Sequence, residues 1–337
     1  METSDFDYDL PDAAIAQAAI EPRDASSLLI ASTGAIIPFA QIGTVLRPGD
    51  LVVVNSTRVR SARLQTHRVD TGGSVEVLLV RRVDDERWEA MLRPSRRLST
   101  GVRVAVADRE LEILADPEAG VAPVRFHPAD GIEGFIEAVG TVPLPPYFDG
   151  TLDDDDRYQT IFADRVGSAA APTAALHFTP ELVSRLQAEG VEFTEVELEV
   201  GLDTFRPMAD GRVEDHRIHT ERAVVNDAAV DAVTRARDRG GRVVAVGTTV
   251  ARTLESAADG SGRIRSFDGP TDLFITPGYR ARVIDGIITN FHAPRTTLLA
   301  LIAAFVGEGW RDLYQSALDA GLRFLSFGDA MYIEVER

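Results

Sequence analysis

The chain has 337 residues, of which 45% are hydrophobic and 26% charged, and its 53 acidic and 35 basic residues give a net charge of −18. This composition is ordinary for a folded globular protein and excludes a wholly disordered or collagen-like chain, while the acidic balance argues against broad, non-specific nucleic-acid binding. The absence of cysteine excludes disulfides, thiolate nucleophiles, iron–sulfur clusters and cysteine-ligated zinc.

No stretch of the sequence has the pattern of a membrane span or an export signal. The longest apolar run, Leu298–Val306, is far shorter than the roughly 20 residues that cross a bilayer. The acidic start of the chain has neither a basic nor an apolar signal region. We therefore expect a cytoplasmic protein without a membrane partner.

The first 63 residues predict a helical start and one strong strand. Leu51–Asn55 is a continuous apolar run that follows the turn Pro48-Gly49-Asp50. Such a run is typical of a strand that is buried on both faces of a sheet.

Residues 64–149 predict short strands separated by turns, with little helical periodicity. The predicted strands are Ser74–Val83, Trp88–Leu92, Val102–Ala107 and Val121–Phe126. This pattern is typical of a small β-barrel or sandwich. A stiff proline-rich connector, Val142–Tyr147, follows it.

Strands and helices alternate from Gln159 onward, which predicts an α/β fold with a largely parallel sheet. The predicted helices are Pro180–Glu189, Asp227–Arg239, Val250–Ala257, Thr296–Val306 and Arg311–Ala320. The predicted strands are Phe193–Val200, Arg242–Val246, Asp272–Thr276, Gly286–Thr289 and Arg323–Ser326. We therefore expect a discontinuous α/β domain of residues 1–63 and 150–337, with residues 64–149 inserted as a β-barrel domain and connector.

Several common catalytic signatures are missing from the sequence. It has no G-x-x-x-x-G-K-[ST] phosphate loop, no G-x-G-x-x-G after a predicted strand and no G-x-S-x-G. All 35 basic residues are arginine, so a Schiff base on lysine is excluded as well. P-loop hydrolysis, ordinary dinucleotide binding and α/β-hydrolase chemistry are therefore disfavoured.

An arginine cluster stands out against the acidic background. Arg93, Arg96, Arg97 and Arg103 lie in a stretch without acidic residues, 90–107. The planar guanidinium group can bind phosphate through two hydrogen bonds, so Arg93, Arg96 and Arg97 are candidates for RNA contacts. The alternative is a genomic bias from lysine to arginine.

Polar residues at two strand-to-helix junctions are candidates for catalysis. His177 precedes a helix whose N-cap is Thr179, and the helix dipole disfavours a charged imidazolium there. It is either a neutral base or a histidine that satisfies local backbone groups. Asn290, His292 and Arg295 lie within six residues before another helix. A loop does not need these side chains for packing, which favours a functional role.

Two further clusters each admit two interpretations. His216 and His219 lie three apart with acidic residues on either side, but the sequence places no third ligand. A polar hydrogen-bonded network is therefore favoured over a metal site. Gly247-Thr248-Thr249 leads an apolar strand into a helix, where free backbone N–H groups can bind an anion or polar ligand. The alternative is an ordinary strand-to-helix turn.

Long motifs cover nearly the whole chain, among them GDLVVVNSTRVRSARL, GSAAAPTAALHFT, AVGTTVARTLES and DGIITNFHAPRTTLLALIAAF. Together they resemble the S-adenosylmethionine:tRNA ribosyltransferase-isomerase family of queuosine biosynthesis. Three positions depart from the pattern of that family. Ala175 and Asp203 stand where glycine is usual, and Glu199 replaces a histidine.

The resemblance implies that the ribosyl unit of S-adenosylmethionine is transferred to 7-aminomethyl-7-deazaguanine at the wobble position of tRNA and isomerised. The product would be epoxyqueuosine-tRNA, with adenine and methionine released. The implied partner is a tRNA with a GUN anticodon, the cosubstrate is S-adenosylmethionine, and no metal or prosthetic group is required. The implied fold is a large α/β barrel-like domain with a smaller inserted β-barrel domain, and we expect a monomer.

The implied chemistry needs a base for the carbon beside the sulfonium and a proton donor for the departing adenine. Because the chain has no lysine or cysteine, the general acid–base candidates are histidine, aspartate, glutamate and tyrosine. The candidates within the matching motifs are His177, His292, His216, His219, Glu221 and Asp329. Of these, His177 and His292 are the predicted catalytic residues. The predicted substrate-binding residues are Thr173, His216, His219, Glu221, Thr248, Thr249, Arg252, Asn290, Arg295, Thr297 and Asp329.

Two other classes of function remain open at this point. One is a different S-adenosylmethionine or nucleotide-sugar enzyme that acts on a small molecule. Its products would differ, since methyl transfer leaves S-adenosylhomocysteine whereas ribosyl transfer leaves adenine and methionine. The other is a non-catalytic RNA-binding protein, against which the acidic net charge argues.

Overall fold

The computed structural model describes residues 1–149, 152, 154–201 and 207–337. These residues form two compact units, one of Met1–Arg58 with Pro145–Arg337 and one of Val59–Leu144. The larger unit is therefore assembled from both ends of the chain.

The elements are numbered in chain order. The first strands are β1 (Ser27–Ile30), β2 (Ala35–Pro38), β3 (Leu51–Asn55) and β4 (Thr57–Val59). They are followed by β5 (Arg63–Arg68), β6 (Ser74–Arg82), β7 (Arg87–Arg93), β8 (Arg103–Val106), β9 (Arg109–Ile113), β10 (Val121–His127) and helix α1 (Ile132–Val139). The remaining elements are β11 (Arg165–Ser168), α2 (Pro180–Ala188), β12 (Glu192–Leu198), β13 (Glu221–Val225), α3 (Asp227–Asp238), β14 (Val243–Val246), α4 (Thr248–Ser256), β15 (Phe267–Thr271), β16 (Gly286–Asn290), α5 (Thr297–Val306), α6 (Trp310–Asp319) and β17 (Ala330–Glu334).

The smaller unit contains a closed antiparallel barrel with the strand order β10-β7-β6-β5-β8-β9. Buried and more exposed residues alternate along its strands, so that Trp88, Ala90 and Leu92 of β7 and Ala122 and Val124 of β10 are buried. This period of two lets every strand contribute side chains to the barrel interior. The expected β-barrel is confirmed, and helix α1 is an element that the sequence pattern did not predict.

In the larger unit, nine strands of the described residues form a sheet with the order β15-β13-β12-β3-β14-β16-β17-β1-β2. The central strands β12, β3, β14 and β16 are parallel, and every residue of β3 is buried, as predicted for Leu51–Asn55. The expected largely parallel sheet is nevertheless wrong, because the sheet is mixed. β17 runs antiparallel to β16, since two helices, α5 and α6, connect them and return the chain to the end of the sheet at which β16 finishes, where Ala330 pairs with Asn290.

Two predicted strands are wrong. In Asp272–Thr276, directly after β15, the apolar residues Leu273, Phe274 and Ile275 pack on the hydrophobic core instead of pairing in the sheet. Arg323–Ser326 is not extended, because Leu325 has a φ of +69°, outside the β region. Short apolar runs such as these two do not by themselves distinguish a strand from another buried segment.

The predicted helical start is also corrected. The residues before β1 form short 3₁₀ turns, Thr3–Phe6, Asp12–Ala14 and Arg23–Ala25. Pro11 and Pro22 directly precede the last two turns. A proline has no N–H to donate to a preceding helical turn, so these turns do not join into a longer helix.

The helices of the larger unit begin close to their predicted positions. The Thr179 side chain accepts a hydrogen bond from the Leu182 N–H at 3.1 Å and Pro180 is the first helical residue, which confirms the predicted start of α2. The Thr296 side chain caps α5 in the same way. Within the described part of the chain, none of the helices combines the length and the apolar character that a membrane crossing needs.

Candidate active site

The candidate active site is a cleft at the carboxyl ends of two neighbouring parallel strands, β14 and β16. β14 leads into Gly247 and Thr248, and β16 leads into Asn290 and His292. The carboxyl ends of parallel strands lie at the same edge of a sheet, which is where α/β proteins bind ligands. The cleft has a volume of about 50 Å³, and Thr173, from a 3₁₀ turn before α2, lines another side of it.

Asn290 connects the groups around this cleft. Its side-chain oxygen accepts a hydrogen bond from Thr173 Oγ1 at 2.9 Å. Its amide nitrogen donates to His177 Nε2 at 3.2 Å and to the Asp329 carbonyl at 3.5 Å. Asn290 is only 3% exposed, so these bonds fix the orientation of its amide at the cleft.

His177 lies behind Asn290, and both of its ring nitrogens are bound to protein groups. Because the Asn290 amide donates to Nε2, the neutral ring carries its proton on Nδ1, which donates to Ser26 Oγ at 2.7 Å. The Phe39 ring stacks on the imidazole with the centroids 5.0 Å apart. His177 therefore holds Asn290 in place and is separated from the cleft by one side chain.

His177 is expected to be neutral because of its place before α2, and its burial in the structure favours the same neutral form. Burial lowers the pKa of His177 from 6.5 to about 3, and the nearby positive charge of Arg323 lowers it as well. Of these two effects burial is the dominant one, since an imidazolium loses its hydration in the protein interior.

This lowered pKa predicts that the protein loses stability in mild acid. Between about pH 3 and 6.5 the unfolded chain binds a proton at His177 that the folded protein does not, so the free energy of unfolding rises with pH and is lost as pH falls. We expect His177→Gln to reduce the slope of that free energy against pH between about pH 5 and 6.5. The reduction should correspond to at most about one bound proton. Chemical denaturation at several pH values measures this slope, with the exposed His67→Gln as the matched control. Equal slopes in wild type and His177→Gln would contradict the account.

His292 lines the cleft directly. Its Nε2 lies 3.0 Å from Thr289 Oγ1. Its backbone is held at both ends, since Tyr8 Oη donates to the His292 carbonyl at 2.6 Å and the His292 N–H donates to Tyr314 Oη at 3.1 Å. Burial lowers the pKa of His292 from 6.5 to about 3. The imidazole is therefore neutral near pH 7, which is the form that a general base requires.

Gly247 lets β14 turn sharply into α4 beside the cleft. Its φ is +94°, a conformation that residues with a side chain rarely adopt, and a Cβ there would lie 3.4 Å from Thr249 Oγ1 and 3.7 Å from the Ala174 side chain. Among the described residues, the buried Thr249 Oγ1 has no hydrogen-bond partner. Thr249 lines the cleft, but this hydroxyl is itself buried, so ligand binding by the turn stays a prediction.

A second cavity, of about 220 Å³, adjoins the cleft within the larger unit. Leu298, in the first turn of α5, lines both cavities. One part of the second wall is apolar and includes Phe274, Ile275 and Leu301. The other part contains five of the predicted substrate-binding residues, namely His216, His219, Glu221, Arg252 and Thr297.

Glu221 and Arg252 form a buried ion pair beside the second cavity, and both side chains are 6% exposed. Arg252 Nη1 donates to Glu221 Oε2, and the Gly201 N–H donates to Oε1 at 2.9 Å. Arg252 Nε donates to the Leu273 carbonyl at 3.0 Å. In the part of the chain that the structure describes, Arg252 Nη2 has no acceptor. Arg252, which lines the second cavity, therefore carries one buried donor without a described partner.

His216 and His219 line the second cavity together. Burial, with the neighbouring His219, lowers the pKa of His216, and the His216 ring contacts Phe274 edge-on with centroids 5.8 Å apart. Within residues 1–149, 152, 154–201 and 207–337, no three His, Cys, Asp or Glu side chains are grouped so as to bind one metal ion.

Arg295 and Asp329, also predicted to bind substrate, line neither cavity. Arg295 forms an ion pair with the exposed Asp210. Asp329 is buried, and its carboxylate accepts the backbone N–H groups of Ser27 at 2.8 Å and Arg323 at 2.7 Å. Direct substrate contact by Arg295 and Asp329 therefore stays a prediction, and neither side chain lines the cleft or the second cavity.

The departures from the family pattern lie outside the cleft where the structure describes them. Ala175 is fully buried in the hydrophobic core. The Glu199 carboxylate lies 3.3 Å from the Arg222 guanidinium and lines neither cavity. Asp203 lies outside the described residues.

Three residues that the sequence analysis did not select contribute to the site. Ser26 binds His177, Phe274 lines the second cavity, and Tyr147 lines the cleft with its hydroxyl 2.5 Å from Ser326 Oγ. A tyrosine after two consecutive prolines was a signal for Tyr147. Ser26 and Phe274 have no comparable signal, because their roles depend on contacts with distant parts of the chain.

The three predicted RNA-binding arginines, Arg93, Arg96 and Arg97, are exposed on the smaller unit. Several other arginines of that unit are paired with carboxylates, such as Arg81 with Glu89 at 3.1 Å. Among the ion pairs of the described residues, none involves Arg93, Arg96 or Arg97. These three guanidinium groups are available to an external anion.

Comparison with known proteins identifies the family. Residues 3–333 match the family model described as Queuosine biosynthesis protein. Over 99% of its length the chain is 48% identical to the S-adenosylmethionine:tRNA ribosyltransferase-isomerase of Heliobacterium modesticaldum and 46% identical to that of Symbiobacterium thermophilum, and 100% of each relative is covered. It is also similar to the crystal structure of S-adenosylmethionine tRNA ribosyltransferase from Thermotoga maritima, with 36% identity, a TM-score of 0.56, and 98% of this chain and 100% of that chain covered. The chain therefore belongs to the S-adenosylmethionine:tRNA ribosyltransferase-isomerase family of queuosine biosynthesis, which its motifs resemble.

Proposed function

We propose that the protein transfers the ribosyl unit of S-adenosylmethionine to 7-aminomethyl-7-deazaguanine at the wobble position of a tRNA with a GUN anticodon and isomerises it to epoxyqueuosine. Adenine and methionine are released, and the enzyme acts as a monomer in the cytoplasm. Membership of the family supports the ribosyltransferase-isomerase class. The observation that carries the proposal is the position of the His292 imidazole, which lines the cleft beside hydroxyl and amide groups.

Three proton transfers constrain the mechanism. The positive sulfur of S-adenosylmethionine acidifies the adjacent 5′ carbon, and a base must take the proton from that carbon. Adenine must gain a proton as its bond to the ribosyl carbon breaks, and the acceptor amine must attack in its uncharged form. We assign the first role to His292, because its imidazole lines the cleft.

The other residues of the cleft bind and orient the substrate. Thr173, Thr248 and Thr249 offer hydroxyl groups that suit ribosyl and adenine hydrogen bonds, and Asn290 offers an amide. His177 acts as a positioning residue, since it reaches the cleft only through the Asn290 amide. This assignment revises the sequence prediction that both histidines act on the substrate itself.

Product analysis tests the proposed reaction class. Purified protein is incubated with S-adenosylmethionine and tRNA that carries 7-aminomethyl-7-deazaguanine, and the small molecules are identified by mass spectrometry. We expect free adenine and methionine. S-adenosylhomocysteine as the product would indicate methyl transfer instead and would contradict the proposal.

We further propose that Arg93, Arg96 and Arg97 contact tRNA phosphates. Replacing all three by glutamine should weaken tRNA binding. The slope of the logarithm of the association constant against the logarithm of the salt concentration should become less negative by about 2 to 3, because fewer counterions are released. Fluorescence anisotropy between about 50 and 200 mM salt measures this slope. The matched control neutralises three arginines of the same unit that are paired with carboxylates, Arg81, Arg82 and Arg87. An unchanged slope in the variant without Arg93, Arg96 and Arg97 would contradict the proposal. The genomic bias toward arginine would then explain the cluster.

We also propose that the reaction proceeds without a metal. The sulfonium already activates the reacting carbon, so no Lewis acid is needed for that step. Turnover should persist after exhaustive chelation followed by assay in metal-free buffer. Stoichiometric zinc in the purified protein, with activity lost on its removal and restored on its return, would overturn this and give His216 and His219 a ligand role.

A further inference from the structure

Arg252 lines the second cavity, and its guanidinium carries a buried donor without a protein partner among the described residues. Nε and Nη1 have partners in Leu273 and Glu221, whereas Nη2 has none among the described residues. A buried donor on a charged group that lacks an acceptor is costly. A ligand that brings an acceptor to Nη2 would remove this cost, and a carboxylate is the acceptor that a guanidinium binds most strongly.

The charges beside the cavity favour a ligand that carries both signs. Glu221 balances Arg252 within the pair, so a purely anionic ligand would meet a neutral pair rather than a free cation. The ammonium and carboxylate of an α-amino acid match such a pair group by group. An ionised carboxylate has about four acceptor sites, so Glu221 can accept from a ligand ammonium in addition to its protein partners. Phe274, Ile275 and Leu301 supply the apolar wall that an aliphatic side chain needs.

The two cavities adjoin along two short segments of the chain. Val200 lines the cleft and Gly201 lines the second cavity, and in the same way Thr296 lines the cleft and Thr297 the second cavity. Leu298 lines both. A ligand that passes Leu298 would therefore have one end among the hydroxyl and amide groups of the cleft and its other end at the Glu221–Arg252 pair.

We infer that the second cavity binds the amino-acid end of S-adenosylmethionine, with its carboxylate on Arg252 Nη2 and its ammonium near Glu221, while the nucleoside end lies in the cleft. This inference rests on the proposed function, because it assigns the two ends of the proposed cosubstrate. It places the sulfonium near Leu298, where the apolar side chain leaves the positive charge unneutralised and the adjacent carbon acidic. A nucleobase of the tRNA is the competing occupant of the cavity.

The test compares two ligands on two proteins. S-adenosylmethionine and its decarboxylated analogue differ by the carboxylate alone, and their affinities are measured by isothermal titration calorimetry without tRNA. We expect the wild type to bind S-adenosylmethionine about ten-fold to a hundred-fold more tightly than the analogue, as for a hydrogen bond to a charged group. Arg252→Gln should bind the two ligands equally, at the affinity that the wild type has for the analogue. Arg263→Gln, at an exposed site outside both cavities, should keep the preference of the wild type.

The other possible results distinguish a failure of this inference from a failure of the proposed function. If Arg252→Gln does not fold, Arg252→Lys keeps the charge opposite Glu221 without the Nη2 donor and should lose the same preference. Equal affinity of the wild type for both ligands, or an Arg252 variant that weakens both equally, overturns the inference. The proposed function survives that result as long as the wild type releases adenine from S-adenosylmethionine in the presence of the modified tRNA. If the wild type neither binds S-adenosylmethionine nor releases adenine, both the inference and the proposed function fail.

Discussion

Replacing His292 by alanine should lower turnover by a factor of about 10² or more. The reason is that His292 is the neutral imidazole that lines the cleft, and its removal leaves no general base at that position. Binding of S-adenosylmethionine should suffer less than turnover, because the hydroxyl groups of Thr173, Thr248 and Thr249 remain. Single-turnover kinetics and direct binding measurements separate the two effects.

The two histidines are distinguished by the variants that restore activity. His177→Ala should also lower turnover by about 10² or more, through the loss of the Asn290 orientation. His177→Gln, whose side-chain oxygen can take the place of Nε2 and accept from the Asn290 amide, should recover part of that loss, whereas His292→Gln should not recover because it removes the base. The exposed His67→Ala is the control and should turn over normally. Normal turnover in both alanine variants would show that these residues were wrongly chosen, while the family assignment would stand.

Removing the Asp50 carboxylate should destabilise the larger unit by about 3 kcal/mol. Asp50 is 2% exposed and precedes β3, the central buried strand. Its carboxylate accepts hydrogen bonds from the Arg242 backbone at 3.0 Å, the Arg242 guanidinium at 2.6 Å and the Arg47 N–H at 2.8 Å. Asp50→Ala leaves the guanidinium without its carboxylate, and urea denaturation measures the change in the free energy of unfolding.

A more exposed ion pair provides the matched control for this measurement. The Glu192 and Arg239 side chains lie 2.8 Å apart and are 46% and 32% exposed. Glu192→Gln should cost less than about 1 kcal/mol, because water replaces the partner of an exposed charge. Equal decreases in the free energy of unfolding for the two substitutions would contradict a larger stabilising contribution from Asp50.

The parts of the fold that depend on local pattern could be predicted from the sequence. The apolar run of β3, the N-cap at Thr179 and the alternation along the barrel strands each depend on neighbouring residues in the chain. The direction of β17 could not be predicted in this way. It depends on the number of helices between β16 and β17 and on where they return the chain.

The candidate site was predictable residue by residue but not as an arrangement. Asn290, His292 and Thr173 were selected from their loops, and the structure brings all three to one cleft. The role of His177 could not be deduced, because its partner Ser26 lies 151 residues away. The division of the binding residues between two cavities was not visible either, since it depends on where Leu298 and Phe274 pack.

The most direct test of the account follows the ribosyl carbons into the tRNA. The protein is incubated with S-adenosylmethionine labelled with ¹³C in its ribosyl unit and with tRNA carrying 7-aminomethyl-7-deazaguanine, and the tRNA is digested for nucleoside mass spectrometry. The account predicts that the labelled unit appears in epoxyqueuosine at the wobble position, together with one free adenine for each nucleoside formed. A modified tRNA that stays unlabelled, with no adenine released, would contradict it.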